Sequence, residues 1–278
     1  MPSTRSGLTT SGSDSMVVRL VECRTAVSPS RLPGLDWAIN PYRGCGHACS
    51  YCYAQDVTRF ETGKEWGSVI EVKINIVQRL KKELEKSAEG VYGIGTVTDP
   101  YQPVEKQYEL TRGCLVLLKR AGAKVSILTK SDLILRDLDI ISDWDGAEVG
   151  ISIGCPYDDV AAVTEPGACS PSKRFEVLAA LSRAGIDGYL MAAPILPGVC
   201  DSEEALRVLV SLSAKAGVRR IIWDVFNPKP MATPRLRRSL SSKGLALGPL
   251  HTKSEINSLR RILSSECSAL GIGLSDAF

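Results

Sequence analysis

Short β-branched runs alternate along the chain with stretches whose apolar residues recur every three to four positions. VYGIGTV (91–97) precedes a helical pattern over about 109–121. KVSILTK (124–130) precedes SDLILRDLDIIS, which Ser131 or Asp132 can cap. AEVGISIG (147–154) leads through a loop into SPSKRFEVLAALSRAG, with Ser170 as cap and Gly185 as stop. DGYLMAAPIL (187–196) precedes DSEEALRVLVSLSAKAG, which has a capping-box start at Asp201 or Ser202. RRIIWDVF (219–226) is the sixth strand; the first, about 36–41, enters a cysteine-bearing loop and a helix, with a second helix at roughly 74–87. Six strands alternating with helices predict parallel βαβ units with right-handed crossovers, wound either as a barrel or as an open doubly wound sheet. Active residues then belong at the C-terminal strand ends, where Cys45, Thr98, Asp99, Lys130, Ser152, Cys155 and Pro197–Gly198 fall.

Flanking this α/β region, residues 35–226, the pattern predicts a polar, disordered tail and lead-in (1–34) and a basic, proline-bearing loop with a final amphipathic helix (227–278). The chain has 278 residues, 44% hydrophobic and 23% charged, ordinary values for a globular protein with a sizeable core. Its net charge of +3 implies no partner by itself, but from Val225 to Ser254 there is no acid among Lys229, Arg235, Arg237, Arg238, Lys243 and Lys253. Without those six, the 34 basic residues fall to 28, fewer than the 31 acidic ones. No apolar run is long enough for a membrane span and the N-terminus lacks a secretory h-region, so a cytoplasmic protein with no membrane partner is expected. Nine cysteines in that compartment argue against a disulfide framework. Only two histidines, His47 and His251, disfavour a multi-histidine metal site or a Ser-His-Asp triad.

NPYRGCGHACSYCYAQ (40–55) concentrates three of the nine cysteines as Cys45-x3-Cys49-x2-Cys52. Three thiolates in a loop eased by Gly44 and Gly46 can converge on one iron–sulfur cluster. A [4Fe–4S] cluster ordinarily takes four cysteines, so three leave one iron open to a substrate or cofactor. Zinc is the alternative, with His47 completing a Cys3His set, although no second ligand pair is evident.

The cysteine spacing, with Tyr51 before the last cysteine, resembles the radical S-adenosylmethionine (SAM) superfamily. The longer string NPYRGCGHACSYCYA, with GTVTDPYQPVEKQYELTR and VSILTKSDLILRDLDII, resembles its spore photoproduct lyase-related branch, often labelled DNA repair photolyase, from about Trp37 to Phe226. The resemblance implies a partial (βα)6 TIM-like barrel. It implies a [4Fe–4S] cluster on Cys45, Cys49 and Cys52, whose open iron binds the amino and carboxylate groups of SAM. Tyr51 would lie near the adenine, and Thr98 and Asp99 would contact the methionine part. Lys130 would pair with the methionine carboxylate, Ser152 would lie near the same group, and the Pro194–Gly198 turn would pass the adenosine. One cation and one anion, Lys130 and Asp99, suit a zwitterionic methionine end. The implied chemistry is reductive cleavage of SAM to a 5′-deoxyadenosyl radical that abstracts a substrate hydrogen, fed by an electron donor such as flavodoxin or ferredoxin.

The match fails at one informative place. The lyase returns a hydrogen atom from a cysteine three residues before that aspartate, where this chain has Thr96. A threonine O–H or C–H bond is too strong to replace a thiol, so repair of spore photoproduct is not the expected reaction. The lyase's two relay tyrosines do match, as Tyr51 and Tyr53. Cys155 and Cys200, both just past strand ends, are the candidate replacement thiols, against the commoner fate of free cysteines as core residues. Cys23, Cys114, Cys169 and Cys267 look incidental. In the basic segment, Arg235, Arg237 and Arg238 are candidate phosphate contacts on DNA or RNA, although the segment offers no stacking platform and its prolines predict an irregular loop. The expected function is radical SAM chemistry, lyase-like, on an unidentified substrate for which nucleic acid is the candidate. The alternatives are the same chemistry on a peptide or metabolite, or a non-catalytic Fe–S or zinc protein that binds nucleic acid.

Overall fold

β-branched residues pack well on a pleated surface, and the β-branched runs of this chain do form its strands. A computed structural model describes residues 16–85 and 89–277. Two short strands come first, β1 (Val17–Val21) and β2 (Val27–Pro29), then β3 (Trp37–Ile39) and β4 (Tyr42–Arg43). The chain continues through α1 (Ala54–Thr58), β5 (Val69–Lys73), α2 (Ile76–Leu84), β6 (Val91–Ile94), α3 (Glu105–Tyr108), α4 (Leu110–Arg120) and β7 (Lys124–Thr129). A 3-10 turn (Asp132–Asp137) runs into α5 (Leu138–Ile141), followed by β8 (Ala147–Ser152), α6 (Asp158–Thr164), α7 (Pro171–Arg183), β9 (Tyr189–Ile195), α8 (Glu203–Lys215) and β10 (Arg220–Val225). α9 (Ala232–Ser241), α10 (Lys253–Ala269) and β11 (Gly273–Asp276) complete it.

The main sheet has the order β11-β10-β9-β8-β7-β6-β3-β2, with every neighbouring pair parallel except β2 and β3. The six expected strands are all there, as β3 and β6 to β10. Each new strand lies beside the previous one and the order never reverses. That is the winding of a barrel wall and excludes the doubly wound alternative, which needs a reversal point. The sheet buries Ile94, Ile127, Val149, Ile151, Leu190 and Ile221 against Leu115, Leu118, Val177, Leu181, Leu206 and Leu209 of the helices. Each such side chain contributes about 1.5–3 kcal/mol relative to exposure. The expected caps at Ser131, Ser170 and Ser202 each accept an N–H, from Leu133, Lys173 and Ala205.

Three features depart from the expectation. The disordered tail that the sequence predicts falls on residues 1–15, outside the described residues, but the lead-in after it is built: β1 pairs with β5, and β5 with β4, as a second, three-stranded sheet. The segment after Phe226 is not one loop. α9 forms despite its proline, because Pro234 sits in the first turn, where no N–H is needed. The sheet also continues beyond residue 226, since β11 adds a seventh parallel strand beside β10. α10 packs on the core through Leu259, Leu263 and Cys267, as its amphipathic pattern predicts.

Candidate active site

The loop from Gly44 to Tyr53 leaves β4, and its path is fixed from three sides. Gly44 has φ +81°, and a Cβ there would lie 2.3 Å from the Val69 carbonyl oxygen, so only glycine fits. On the β6 side, Thr98 Oγ1 donates to the Gly44 carbonyl at 2.6 Å. Gln102 Nε2 donates to Thr98 Oγ1 at 2.8 Å, and Gln102 Oε1 accepts the Gly46 N–H at 2.8 Å. On the α6 side, the Ser50 N–H donates to the Thr164 carbonyl at 2.7 Å and the Gly167 N–H to the His47 carbonyl at 3.0 Å. Gly167 has to be glycine as well, because a Cβ would fall 2.1 Å from the Gly46 oxygen. On the third side is α9. Its Arg235 donates to the carbonyls of Ser50 (3.0 Å) and Cys52 (2.9 Å) and to Gln55 Oε1 (2.7 Å). Asp56 of α1 in turn accepts the N–H groups of Met231 (2.8 Å) and Ala232 (3.2 Å).

This bracing presents three free thiols, two buried and one half-buried: Cys45, Cys49 and Cys52. Burial pushes Cys45 up to about 12 and raises Cys49 and Cys52 as well, so soft metal charge is what would favour their thiolate form. The donor set fits an iron–sulfur cluster, in which each thiolate binds a different iron. It fits zinc less well. His47 Nδ1 lies 3.2 Å from Asp99 Oδ2, which leaves Nε2 free, but among the described residues no three His, Cys, Asp or Glu side chains gather around a single ion position, as a Cys3His site would need.

The strand ends opposite the loop carry two buried charge networks. Asp99, after β6, accepts from the Tyr101 N–H (2.8 Å), Thr129 Oγ1 (2.6 Å) and the Lys130 N–H (2.9 Å). Burial alone would raise its carboxyl, but His47 and these donors outweigh burial and hold it at about 2. Thr98 and Asp99 thus spend their polar atoms inside the protein, bracing the cysteine loop and the turn after β7. The second network was not foreseen from the sequence. Glu165 accepts from the Tyr51 hydroxyl and from Arg174 Nη2. Arg174, 1% exposed, also donates to the carbonyls of Ser152 and Cys169, both at 2.7 Å. Burial raises a carboxyl, yet Arg174 and Lys130 keep Glu165 below its usual range.

Lys130 stands between the two networks. Its Nζ lies 5.7 Å from the centre of the Tyr51 ring and makes no hydrogen bond or ion pair among the described residues. Burial would depress the ammonium, but the Cys49 sulfur in its thiolate form and the Glu165 carboxylate outweigh it and raise Lys130 above the usual lysine range. A cation with its donors uncommitted, beside the cysteine loop, is suited to an anionic ligand group. Ser152 is buried, with Oγ 3.3 Å from the Ala193 carbonyl. The Pro194–Gly198 turn starts at the same place, and a small cavity there is lined by Tyr51, Gly154, Cys155, Glu165, Pro194 and Leu196.

Cys155, Cys200 and Arg235 depart from expectation, and Tyr53 can be placed. Cys155 and Cys200 are not independent thiols: they form a disulfide between the turns after β8 and β9, with Cα atoms 5.4 Å apart. Tyr53 is 39% exposed and donates to the Thr96 carbonyl at 2.6 Å. Arg235 is buried and turned onto the cysteine loop, so it cannot grip a phosphate, whereas Arg237 and Arg238 are exposed. Helical spacing carries the signal that was missed: Arg235 and Leu236 fall on the inner face of α9, Arg237 and Arg238 on the outer.

Comparison with known proteins shows the family and the fold. The family model of the radical SAM superfamily matches residues 39–210. An uncharacterised protein of Methanocaldococcus jannaschii is 36% identical over 183 residues, 66% of this chain and 69% of that one. One from Mycobacterium tuberculosis is 33% identical over 216 residues, 73% of this chain and 63% of its own length. A spore photoproduct lyase mutant with bound AdoMet and dinucleoside spore photoproduct has the same fold, with a TM-score of 0.70 at 18% identity over 94% of this chain and 82% of the lyase. With the family model covering most of the strands and the cysteine loop, the chain belongs to the radical SAM superfamily, whose enzymes work with a [4Fe–4S] cluster and SAM.

Proposed function

We propose that Cys45, Cys49 and Cys52 hold a [4Fe–4S] cluster, that Lys130 receives the carboxylate of SAM, and that the substrate is a nucleic acid. The observation that carries the reading is the uncommitted Lys130 ammonium beside three free thiols in one braced loop. The chemistry supplied by the bound cofactors is reductive SAM cleavage and hydrogen abstraction by the resulting 5′-deoxyadenosyl radical. The protein's own residues do the rest. Thr98, Gln102 and Gly167 fix the loop, Asp99 orients the Lys130 backbone, and Tyr51 packs its ring between the loop and the Lys130 cation. The adenosine would lie beyond Tyr51, where Gly154, Cys155, Pro194 and Leu196 line a small cavity, with Ser152 behind it against the Ala193 carbonyl.

A nucleic acid substrate is supported by the fold shared with a spore photoproduct lyase that binds dinucleoside spore photoproduct, and by exposed Arg237 and Arg238 on the acid-free α9. The reaction is of a lyase-like class, with a one-electron carrier such as flavodoxin or ferredoxin as reductant. Iron and acid-labile sulfide analysis of anaerobically prepared protein tests the reading. Equal amounts of both, with a reduced-cluster EPR signal that changes on adding SAM, are expected. Stoichiometric zinc without sulfide contradicts it.

A further inference from the structure

Arg235 is 6% exposed, and among the described residues no carboxylate lies within ion-pair distance of it. The two acids nearby are engaged elsewhere. Asp56 caps the start of α9, and Glu65 lies 3.8 Å from Arg238. An arginine cannot shed its proton, so this is a buried full charge satisfied only by neutral oxygens. Burying a cation in this way is costly unless negative charge is supplied from somewhere. Three of its donors go to the cysteine loop and the helix after it, and one of the acceptors is the carbonyl of Cys52 itself.

We propose that Arg235 is the built-in counter-charge and tether of the three-cysteine loop, balancing the net negative charge of a thiolate-bound cluster and raising its reduction potential. The proposal rests on the assignment of Cys45, Cys49 and Cys52 as cluster ligands. Arg235 acts through the loop and is a positioning residue, not a catalytic one. A nearby fixed cation favours the more negative, reduced state of a cluster, and hydrogen bonds that draw charge from the ligand loop act in the same direction. Its tethering bonds hold Ser50 and Cys52 while Ser50 is also held by Thr164, so the loop is gripped from both faces.

EPR-monitored redox titration of three variants tests this. Arg235→Gln removes the charge and keeps an amide donor; Arg235→Lys keeps the charge. Gln55→Glu leaves Arg235 in place but supplies the missing counter-ion at Nη1, which guards against a variant that fails to fold. The expected result is a downward shift of the cluster midpoint in Arg235→Gln and Gln55→Glu, little shift in Arg235→Lys, and faster iron loss to a chelator in Arg235→Gln alone. A midpoint equal to wild type in both Arg235→Gln and Gln55→Glu overturns the proposal while leaving the cysteine assignment intact. A wild-type protein that assembles no cluster overturns the assignment and the proposal with it.

Discussion

The Tyr51 hydroxyl donates to Glu165 across 114 residues of sequence, tying the residue between the second and third loop cysteines to the turn after α6. Glu165 is held in turn by Arg174, whose other donors reach the end of β8 at Ser152. The cysteine loop is therefore registered against the fourth parallel strand of the sheet through a buried ion pair. Glu165→Gln leaves the Arg174 guanidinium buried without its counter-charge and is expected to cost about 3–5 kcal/mol. Tyr51→Phe removes one hydrogen bond and leaves the pair, costing about 1–2 kcal/mol. Urea denaturation of both variants measures the order; an equal cost would deny the pair its structural role.

Asp99 sets a pH dependence. Its carboxyl is held at about 2 against a reference of 3.8, so its stabilising contribution is complete above pH 4 and is lost as pH falls toward 2. The stability gap between wild type and Asp99→Asn should be widest near neutrality, about 1–3 kcal/mol, and narrow as the pH is lowered from 4. Chemical denaturation at several pH values reads this directly. A gap that widens in acid would mean that Asp99 is protonated in the folded protein.

Lys130 separates binding from folding. Because its Nζ makes no hydrogen bond or ion pair among the described residues and only faces the Tyr51 ring, Lys130→Met should cost less stability than Glu165→Gln. The same change should weaken SAM binding about 10- to 100-fold, the loss of one charge-assisted hydrogen bond to a carboxylate. Calorimetric titration of SAM into cluster-loaded protein measures it. Unchanged affinity would remove Lys130 from the site.

The disulfide is a separate claim. Alkylation of denatured, unreduced, metal-free protein should label seven of the nine cysteines, sparing Cys155 and Cys200. Cys155→Ala is expected to lower stability by about 2–4 kcal/mol in non-reducing buffer and by less in the presence of a phosphine reductant. Labelling of all nine would show two separate thiols in solution.

On the outer face of α9, Arg237→Gln with Arg238→Gln should weaken nucleic acid binding and flatten the salt dependence by about 1.4–1.8 log units per decade, the loss of two phosphate contacts. An unchanged slope would move the nucleic acid contact elsewhere or deny it.

The strands and the cysteine loop were legible because they rest on local signals: β-branched runs, serine caps and a fixed cysteine spacing. What escaped reading was non-local. β1 and β11 are short and become strands only by pairing with β5 and β10. Glu165 and Arg174 look like ordinary helix-end charges until the turn after α6 folds onto Tyr51. Cys155 and Cys200 are 45 residues apart and meet only because β8 and β9 are neighbours. Arg235 was misread because composition alone does not say which face of α9 a residue occupies. Two adjacent arginines face solvent there while the one before Leu236 faces the loop.

The central claim is that the three-cysteine loop supports radical SAM chemistry. The most direct measurement is 5′-deoxyadenosine formed from SAM by anaerobically reconstituted protein with dithionite, beside the triple variant Cys45→Ala, Cys49→Ala, Cys52→Ala. Product from the wild type and none from the variant is the predicted result. Equal product from both, or none from wild type carrying its full iron and sulfide and supplied with nucleic acid, would contradict it.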